Sequence, residues 1–436
     1  MYSNVTGLSI GYGLNLGLAT LCAQATGAGR AEVENPVLLR RAAAVLLIAM
    51  AISSAAAFSA CPLLVAVGMP ADVAAASAAF AKWSLTGLPL LWAVNALEKI
   101  CDSLREVRPS IVAVATGTVV NVAVSVAAVH PRALDWGYLG LAASRAIASA
   151  AQLVVLLALI HAQGLDEKVW RRGAAARYVA VLHREAVCSY FKVALPGALL
   201  MWGEWWSFEG LAVVAARLPD PRTVLAAHAT LYNISVASNM IFASLGNAIC
   251  AVVGRTIGAG RPRDVPRQVL GAYLIAVPLA ALVFAALYYS VAPLARFFTS
   301  QLPVQRLIER TALGPPCTIA AFGMLFTAFG VCRGANRQRQ ASLQMLIFYA
   351  AGIGLAYYAG VQCGWPQPLL GLWLGNAAAV AAGAAATFAL VCCIRWEAVS
   401  RAVVDVQEDA SRREAFLQHS VQAVERTASQ PPQGEA

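Results

Sequence analysis

Two carboxylates lie within a single apolar stretch of this 436-residue chain, in the segment MWGEWWSFE at 201–209. Glu204 stands 12 residues after Lys192 and 13 before Arg217, so a helix through this stretch places it at mid-span. A charged side chain at the centre of a membrane helix costs about 2.5–3.5 kcal/mol on insertion scales and marks a functional site by default. We therefore predict that Glu204 binds a proton or a cation. The competing interpretation is a structural, hydrogen-bonded carboxyl.

Aromatic and polar side chains surround Glu204 in the sequence and in the next apolar stretch. Glu209 lies about 140° from Glu204 around a regular helix, so an interhelical polar contact is favoured for it. The neighbouring tryptophans offer ring faces to a flat organic cation, and simple packing explains them equally well. Polar residues in apolar helices more often connect helices than bind ligands. The residues considered for a substrate cavity are Trp205, Trp206, Glu209, Tyr232 and Asn233.

The chain offers no pattern for catalysis or for metal binding. Its ten Cys include no C-x-x-C pair, its five His are scattered, and HExxH does not occur. We predict that the protein is not an enzyme, has no catalytic residues, and holds no metal or cofactor. Lys82 and Arg145 also fall within predicted helices, where pairing with an acid or reaching outward to the interface is favoured over substrate binding.

The composition excludes an ordinary soluble protein. Apolar residues make up 59% and charged residues 12%, with a mean hydropathy of +0.65, whereas soluble domains contain roughly 45–50% and about 25%. Charge-free runs long enough to cross a bilayer recur along the chain, which excludes disordered, collagen-like and nucleic-acid-binding classes. Eleven helices are predicted, at about 5–26, 42–68, 72–97, 110–130, 136–162, 193–216, 223–252, 269–294, 311–331, 341–361 and 369–394.

The fold class follows from these runs and from their flanking charges. Long uniform apolar runs predict an all-α, multi-pass bundle, because the strands of a membrane barrel would alternate. The tail and the loops that begin near Arg30, Lys99, Lys168, Arg255 and Arg333 carry 24 Lys and Arg, against 6 on the other side. This bias predicts a cytoplasmic C-terminus and an external N-terminus. An external N-terminus without a signal peptide suggests that a first helix is missing.

Short motifs recur at a fixed spacing. Gly27-Ala28-Gly29-Arg30 returns as Gly258-Ala259-Gly260-Arg261, and Leu139-Gly140-Leu141 as Leu370-Gly371-Leu372, both 231 residues apart. An even number of helices separates the copies, so two parallel repeats of five and six helices are predicted, as in some transporters. The predicted organisation is an N-terminal lobe (1–163), a cytoplasmic linker (164–192), a C-terminal lobe (193–394) and a polar cytoplasmic tail (395–436).

Four segments resemble the eukaryotic branch of the MATE (multidrug and toxic compound extrusion) transporters. They are TLCAQATGA at 20–28, EWWSFE at 204–209, Gly254 with GAG at 258–260, and RGANRQ at 333–338. The resemblance covers nearly the whole membrane portion, and this sequence is similar to helices two to twelve of the twelve-helix family. It implies export of organic cations or metabolites in exchange for protons or sodium. It also implies that Glu204 matches an acid that couples ion and substrate.

The sequence departs from the family pattern at three positions. A second acid of the family falls at Phe322, which cannot carry a proton, and the family's Arg and Asn in the second repeat are Val252 and Arg255 here. We therefore keep two hypotheses. The first is a proton-coupled antiporter, with sodium as the alternative ion, that works by alternating access. The second is a truncated, transport-deficient relative that acts as a scaffold or has no function.

The expected partners are a small organic cation or metabolite and the lipid bilayer. Nucleic acid is not expected as a partner, and the protein is expected to be a monomer. The sequence leaves open the substrate, the coupling ion, and the choice between the plasma membrane and an organelle membrane.

Overall fold

A computed structural model of the chain describes residues 2–66, 71–130, 133–170 and 184–405. The first repeat contains α1 (Ser9–Gly27), preceded by a π-helical turn Asn4–Leu8, then α2 (Ala31–Phe58), α3 (Ala60–Ala66), α4 (Ala71–Ser84), α5 (Leu88–Ser103), α6 (Val107–Val129), α7 (Leu139–Ala162) and α8 (Asp166–Val169). The remainder contains α9 (Arg184–Ala215), α10 (Pro221–Gly258), α11 (Val265–Phe298), α12 (Leu302–Arg310), α13 (Gly314–Gly334), α14 (Gln338–Tyr357) with a π-helical turn Tyr358–Gln362, α15 (Pro368–Cys392) and α16 (396–405).

The prediction of an all-α, multi-pass bundle is confirmed. Within the described residues, ten helical segments are long and apolar enough to cross a membrane. Helices α4 and α5 are each too short to cross alone, and both pack against α7, so together they account for the eleventh predicted span. Several helices extend beyond the charge-free runs. For example, α10 was predicted for 223–252 and continues to Gly258, because Arg255 is accommodated at a helix end rather than in a loop.

The 231-residue repeat extends to the backbone of the helix ends. Gly29 and Gly260 end α1 and α10 in the left-handed region, with φ of 71° and 67°, and the next amide bonds to the carbonyl five residues back at 2.9 and 3.1 Å. Arg105 and Asn336 do the same after α5 and α13, with φ of 67° and 56°. Such left-handed caps satisfy the free carbonyls of a helix end. Apart from α3 and α9, the helices form pairs at this spacing, with one helix from each repeat. Helices α1 and α10 are one such pair.

The ends of α1, α5, α10 and α13 lie together on one side of the bundle, which we call the basic face. Lys99, Arg255 and Arg333 lie near these ends. Ser400 of α16 donates its hydroxyl to the carbonyl of Ile257 at 3.1 Å, so the described start of the polar tail packs on this face. The rest of the tail, 406–436, lies outside the described residues.

Helix α9 contacts both lobes. The buried apolar residues of the first lobe form one cluster, which includes the first half of α9 up to Ala198; the second cluster begins at Leu200. A Cβ at Gly13 or Gly17 of α1 would lie 2.4 and 2.7 Å from the Cα atoms of Ala198 and Ala194. Small residues thus allow α1 and α9 to touch backbone to backbone, as in tightly packed membrane helices.

The region predicted as a linker is described only in part. It contains the short helix α8 and the beginning of α9 at Arg184. Three basic residues of this region, Arg171, Arg172 and Arg177, lie outside the described residues.

Candidate functional site

The carboxyl of Glu204 lies inside the second lobe, where α9 faces α10 and α14. Its side chain is 6% exposed, and Asn239 of α10 donates Nδ2 to Oε1 at 3.4 Å. Tyr349 of α14 lies beside it. Among the described residues, no cationic side chain acts on Glu204. One long hydrogen bond does not compensate a negative charge in an apolar interior, so this carboxyl requires a bound proton or a bound cation.

A cluster of aromatic rings adjoins Glu204. Phe208 stacks on Phe322 at 5.7 Å between ring centroids and lies 5.1 Å from Tyr232. Phe322 also contacts Phe326 at 5.9 Å and Tyr349 at 6.4 Å, and it is 1% exposed. The position that the family resemblance would give to a second acid is therefore enclosed by aromatic packing. Glu204 faces this cluster without a second carboxylate at that position.

The other residues considered for a cavity fall into two groups. Tyr232 lies close to both Glu204 and Glu209, and Glu209 is half-buried, so the structure groups these three side chains. Trp206 is 51% exposed and makes an edge contact with Trp202 at 6.0 Å. Trp205 is half-buried and Asn233 is exposed. Trp206 and Asn233 therefore lie on exposed faces of α9 and α10, away from the Glu204 carboxyl.

The two cations inside predicted helices of the first lobe have simple contacts. Lys82 lies 5.4 Å from the centroid of the Phe58 ring, and Arg145 donates Nη1 to Asn4 Oδ1 at 3.4 Å. Each contact joins two elements of the first lobe.

Asn239 allows a direct test of the Glu204 environment. Replacing it with leucine removes the amide donor, and a hydrogen bond to a charged group contributes about 1.5–3 kcal/mol. We expect ion-driven uptake into proteoliposomes to fall about 10-fold or more, while the detergent-solubilised variant keeps the wild-type elution profile. The matched control is Ser238→Ala, because that hydroxyl bonds only to the Ile234 carbonyl of its own helix, at 3.1 Å. Wild-type uptake by Asn239→Leu would exclude Asn239 from the site.

The two lobes meet at the basic face through a pair of equivalent hydrogen bonds. Gln24 of α1 donates Nε2 to the carbonyl of Gly334, the last residue of α13, at 3.0 Å. Arg255 of α10 donates Nη1 to the carbonyls of Asp102 and Ser103, at the end of α5, at 3.1 and 3.2 Å. Each donor thus binds the partially negative end of a helix in the other lobe. Donors and acceptors are each 231 residues apart.

Backbone contacts close the same face. A Cβ at Gly27 would lie 2.0 Å from the carbonyl oxygen of Arg255, and one at Gly258 would lie 2.0 Å from that of Gln24. Only glycine permits so close an approach. Nearby, Arg333 is 4% exposed and donates to Asn247 Oδ1 at 2.8 Å. The basic face is therefore sealed between the lobes in this conformation.

The sequence alone does not indicate this seal. Gln24 lies within a segment that carries the family resemblance, and Arg255 stands out in the sequence only as a departure from the family pattern. The repeat is the sequence signal that could indicate the seal. Residues 231 apart end equivalent helices, and these ends face each other across the axis that relates the two repeats. The Gly27 and Gly258 motifs indicated the symmetry, but the contact between them depends on how the lobes dock.

The chain matches a known protein family and several curated relatives. The family model described as MatE matches residues 1–127 and 196–358. Multidrug and toxin extrusion protein 1 of Danio rerio is 24% identical over 380 residues, which cover 85% of this chain and 61% of that protein. Protein DETOXIFICATION 52 of Arabidopsis thaliana is 24% identical over 412 residues, covering 91% of this chain and 76% of the relative. The chain thus spans less than two thirds of the fish protein.

Two solved structures share the fold. The eukaryotic MATE transporter AtDTX14 superposes with a TM-score of 0.83 at 22% identity, over 92% of this chain and 88% of that one. A multidrug resistance MATE family transporter in an outward-facing conformation superposes with a TM-score of 0.77 at 16% identity, over 91% and 86% of the two chains. At these identities the likeness establishes the fold.

Proposed function

Since the chain belongs to the MatE family of membrane efflux transporters, we propose that it exports small organic cations or metabolites in exchange for protons. The observation that carries the proposal is the Glu204 carboxyl, buried at mid-helix with one amide donor and without a cationic partner among the described residues. A proton and a cationic substrate would compete for this carboxylate. Sodium is the alternative coupling ion.

Competition at one carboxylate couples the two flows. A substrate cation binds the ionised carboxylate, next to the Tyr232 and Tyr349 rings, and leaves when Glu204 takes up a proton. The proton and the substrate each bind one of the two arrangements of the lobes more tightly than the other. Each of them therefore shifts the equilibrium between these arrangements. The enclosed Phe322 means that Glu204 serves this role without the second acid of the family pattern.

The basic face is proposed to be the cytoplasmic side, because Lys and Arg concentrate on that side of multi-pass proteins. The conformation described here is then sealed toward the cytoplasm. Export requires an alternative arrangement in which the Gln24 and Arg255 hydrogen bonds break and the basic face opens. Paired repeats that rock about a central site are a common route to alternating access.

The test is transport by the purified full chain in proteoliposomes. Vesicles with an acidic lumen are offered labelled organic cations, such as tetraethylammonium, and labelled organic acids at zero membrane potential. We expect accumulation of at least one cation that collapses when a proton ionophore is added. A matched series with a sodium gradient and no pH gradient identifies sodium coupling instead.

One observation favours a second candidate function, a membrane protein of this family without transport. Phe322 fills the position of the second acid and is packed against Phe208, Phe326 and Tyr349. Under this alternative, no substrate accumulates under either gradient, although the protein reconstitutes as a folded monomer.

A further inference from the structure

A second carboxyl lies among polar side chains of the first lobe, on α5. Glu98 Oε1 accepts a hydrogen bond from Gln152 Nε2 of α7 at 3.0 Å. On its own helix, Asn95 lies one turn earlier, close to the Glu98 side chain. Asn95 Oδ1 in turn accepts a hydrogen bond from Asn15 of α1 at 3.1 Å. Three amides from three helices therefore lead to one carboxyl.

The charged groups around Glu98 compensate its charge only in part, because Lys99 attracts the carboxylate and Asp102 repels it. Within the described residues, no ion pair is formed by Glu98. Lys99 is the next residue on the helix and interacts more strongly with Asp102 than with Glu98. On α1, Tyr12 lies close to both Glu98 and Arg145 of α7. The helix α6 contributes Gly117, whose Cα faces the Gln152 amide.

The polar chain that leads to Glu98 is itself incompletely satisfied. Asn15 is fully buried, and its Oδ1 has no hydrogen-bond partner among the described residues. Buried polar atoms are rarely left unpaired in a rigid structural network, because each one costs free energy. In the described part of the protein, this chain of amides keeps one acceptor, Asn15 Oδ1, unpaired and ends on the Glu98 carboxyl. Such a chain can rearrange when the carboxyl gains or loses a proton.

We propose that Glu98 is a second proton-binding carboxyl, so that each lobe carries one: Glu98 in the first and Glu204 in the second. The proposal rests on the proposed function for its role in exchange. The Gln152 N–H stabilises the ionised form of the carboxyl, so Glu98 can release a proton as well as bind one, and this donor occupies a position where a sodium ion would need an oxygen ligand. Two protons then move inward for each substrate exported, and Gln152 acts as a positioning residue for the Glu98 carboxyl.

The expected consequence is a change in coupling stoichiometry. At zero membrane potential, the accumulation ratio of a substrate rises about 10-fold per pH unit for each coupled proton. Wild-type vesicles are therefore expected to reach about 100-fold accumulation per pH unit, and Glu98→Gln about 10-fold. The control Glu106→Gln makes the same change at an exposed acid just before α6 and keeps the wild-type ratio. Equal accumulation ratios in Glu98→Gln and wild type would overturn the proposal.

A second measurement does not depend on transport. Dicyclohexylcarbodiimide modifies protonated carboxyls in apolar surroundings, and peptide mass spectrometry locates the adduct in the reconstituted wild-type protein. We expect adducts on Glu98 as well as Glu204 near neutral pH, with Glu98 labelling altered in Gln152→Met. Absence of a Glu98 adduct at every pH where Glu204 is labelled would overturn the proposal, as would protection of Glu98 by sodium. If wild type shows no transport yet Glu98 is labelled, the proposed function fails and the proton site remains.

Discussion

Replacing Glu204 with glutamine is expected to reduce ion-driven substrate accumulation about 100-fold or more. Glutamine keeps the size of the side chain and can pair with Asn239, but it cannot bind a proton or balance a cation. Loss of one partner of a buried charge pair costs about 2–5 kcal/mol, and 2.7 kcal/mol corresponds to about a 100-fold change. The measurement is uptake of the cation identified in the substrate panel, at equal protein density in the vesicles.

Two controls separate chemistry from folding in this experiment. Glu309→Gln makes the same change at a partly exposed acid of α12, paired with Arg296 at 3.7 Å, and should transport as wild type does. Glu204→Asp retains the carboxyl on a shorter side chain and should recover part of the activity. Full pH-driven accumulation by Glu204→Gln would remove this residue from the mechanism, and with it the observation on which the proposed function depends.

Replacing Gly258 with valine is expected to prevent the basic face from closing. The new Cβ would lie 2.0 Å from the Gln24 carbonyl oxygen, which belongs to backbone and cannot move aside without displacing α1. Overpacking of this kind typically costs about 1–3 kcal/mol, which shifts an equilibrium between two arrangements roughly 5- to 150-fold. We expect transport to be lost while the helices of each lobe remain folded.

Hydrogen exchange reports this shift directly. Peptides covering the ends of α1 and α10, around 20–30 and 254–262, should exchange faster in Gly258→Val than in wild type, and those within α15 should be unchanged. Gly271→Val is the matched control, because a Cβ at that position of α11 meets no atom within 4 Å. Gly27→Val should reproduce the effect of Gly258→Val, since it meets the Arg255 carbonyl in the same way. Unaltered exchange in both variants would show that these contacts do not limit opening.

The seal lies between the two lobes, whereas each of the two proposed proton-binding carboxyls lies within one lobe. Gln24 and Arg255 connect each lobe to the carbonyl end of a helix in the other, whereas Glu98 and Glu204 lie within their own lobes. A neutral hydrogen bond such as that of Gln24 contributes about 0.5–1.5 kcal/mol and one from the charged Arg255 about 1.5–3 kcal/mol, so the seal can break during a transport cycle. Binding of a proton or a cation to these carboxyls can then shift the lobes between their two arrangements without disrupting the packing within either lobe.

The class of protein and the position of one acid follow from the sequence alone. Charge-free runs of bilayer length require helices, because lipid offers no partners to backbone amides, and this rule identified the spans without any knowledge of packing. It also placed Glu204 at mid-span, where the structure finds it buried. The repeat of the Gly27 and Gly258 motifs indicates two equivalent halves. Each motif ends a helix, and the glycine two residues after Gly27 or Gly258 adopts the left-handed conformation that such a helix end uses.

The packing of the helices determines which of these residues meet. The third predicted helix ends at about 97, one residue before Glu98, whereas α5 continues to Ser103 and its packing brings Glu98 to Gln152, 54 residues away. Trp206 and Tyr232 were equivalent candidates in the sequence, yet rotation about α9 and α10 exposes one and groups the other with Glu204. Contacts between residues far apart in sequence depend on helix rotation and lobe docking, which hydrophobicity alone does not specify, because lipid and protein interior are similarly apolar.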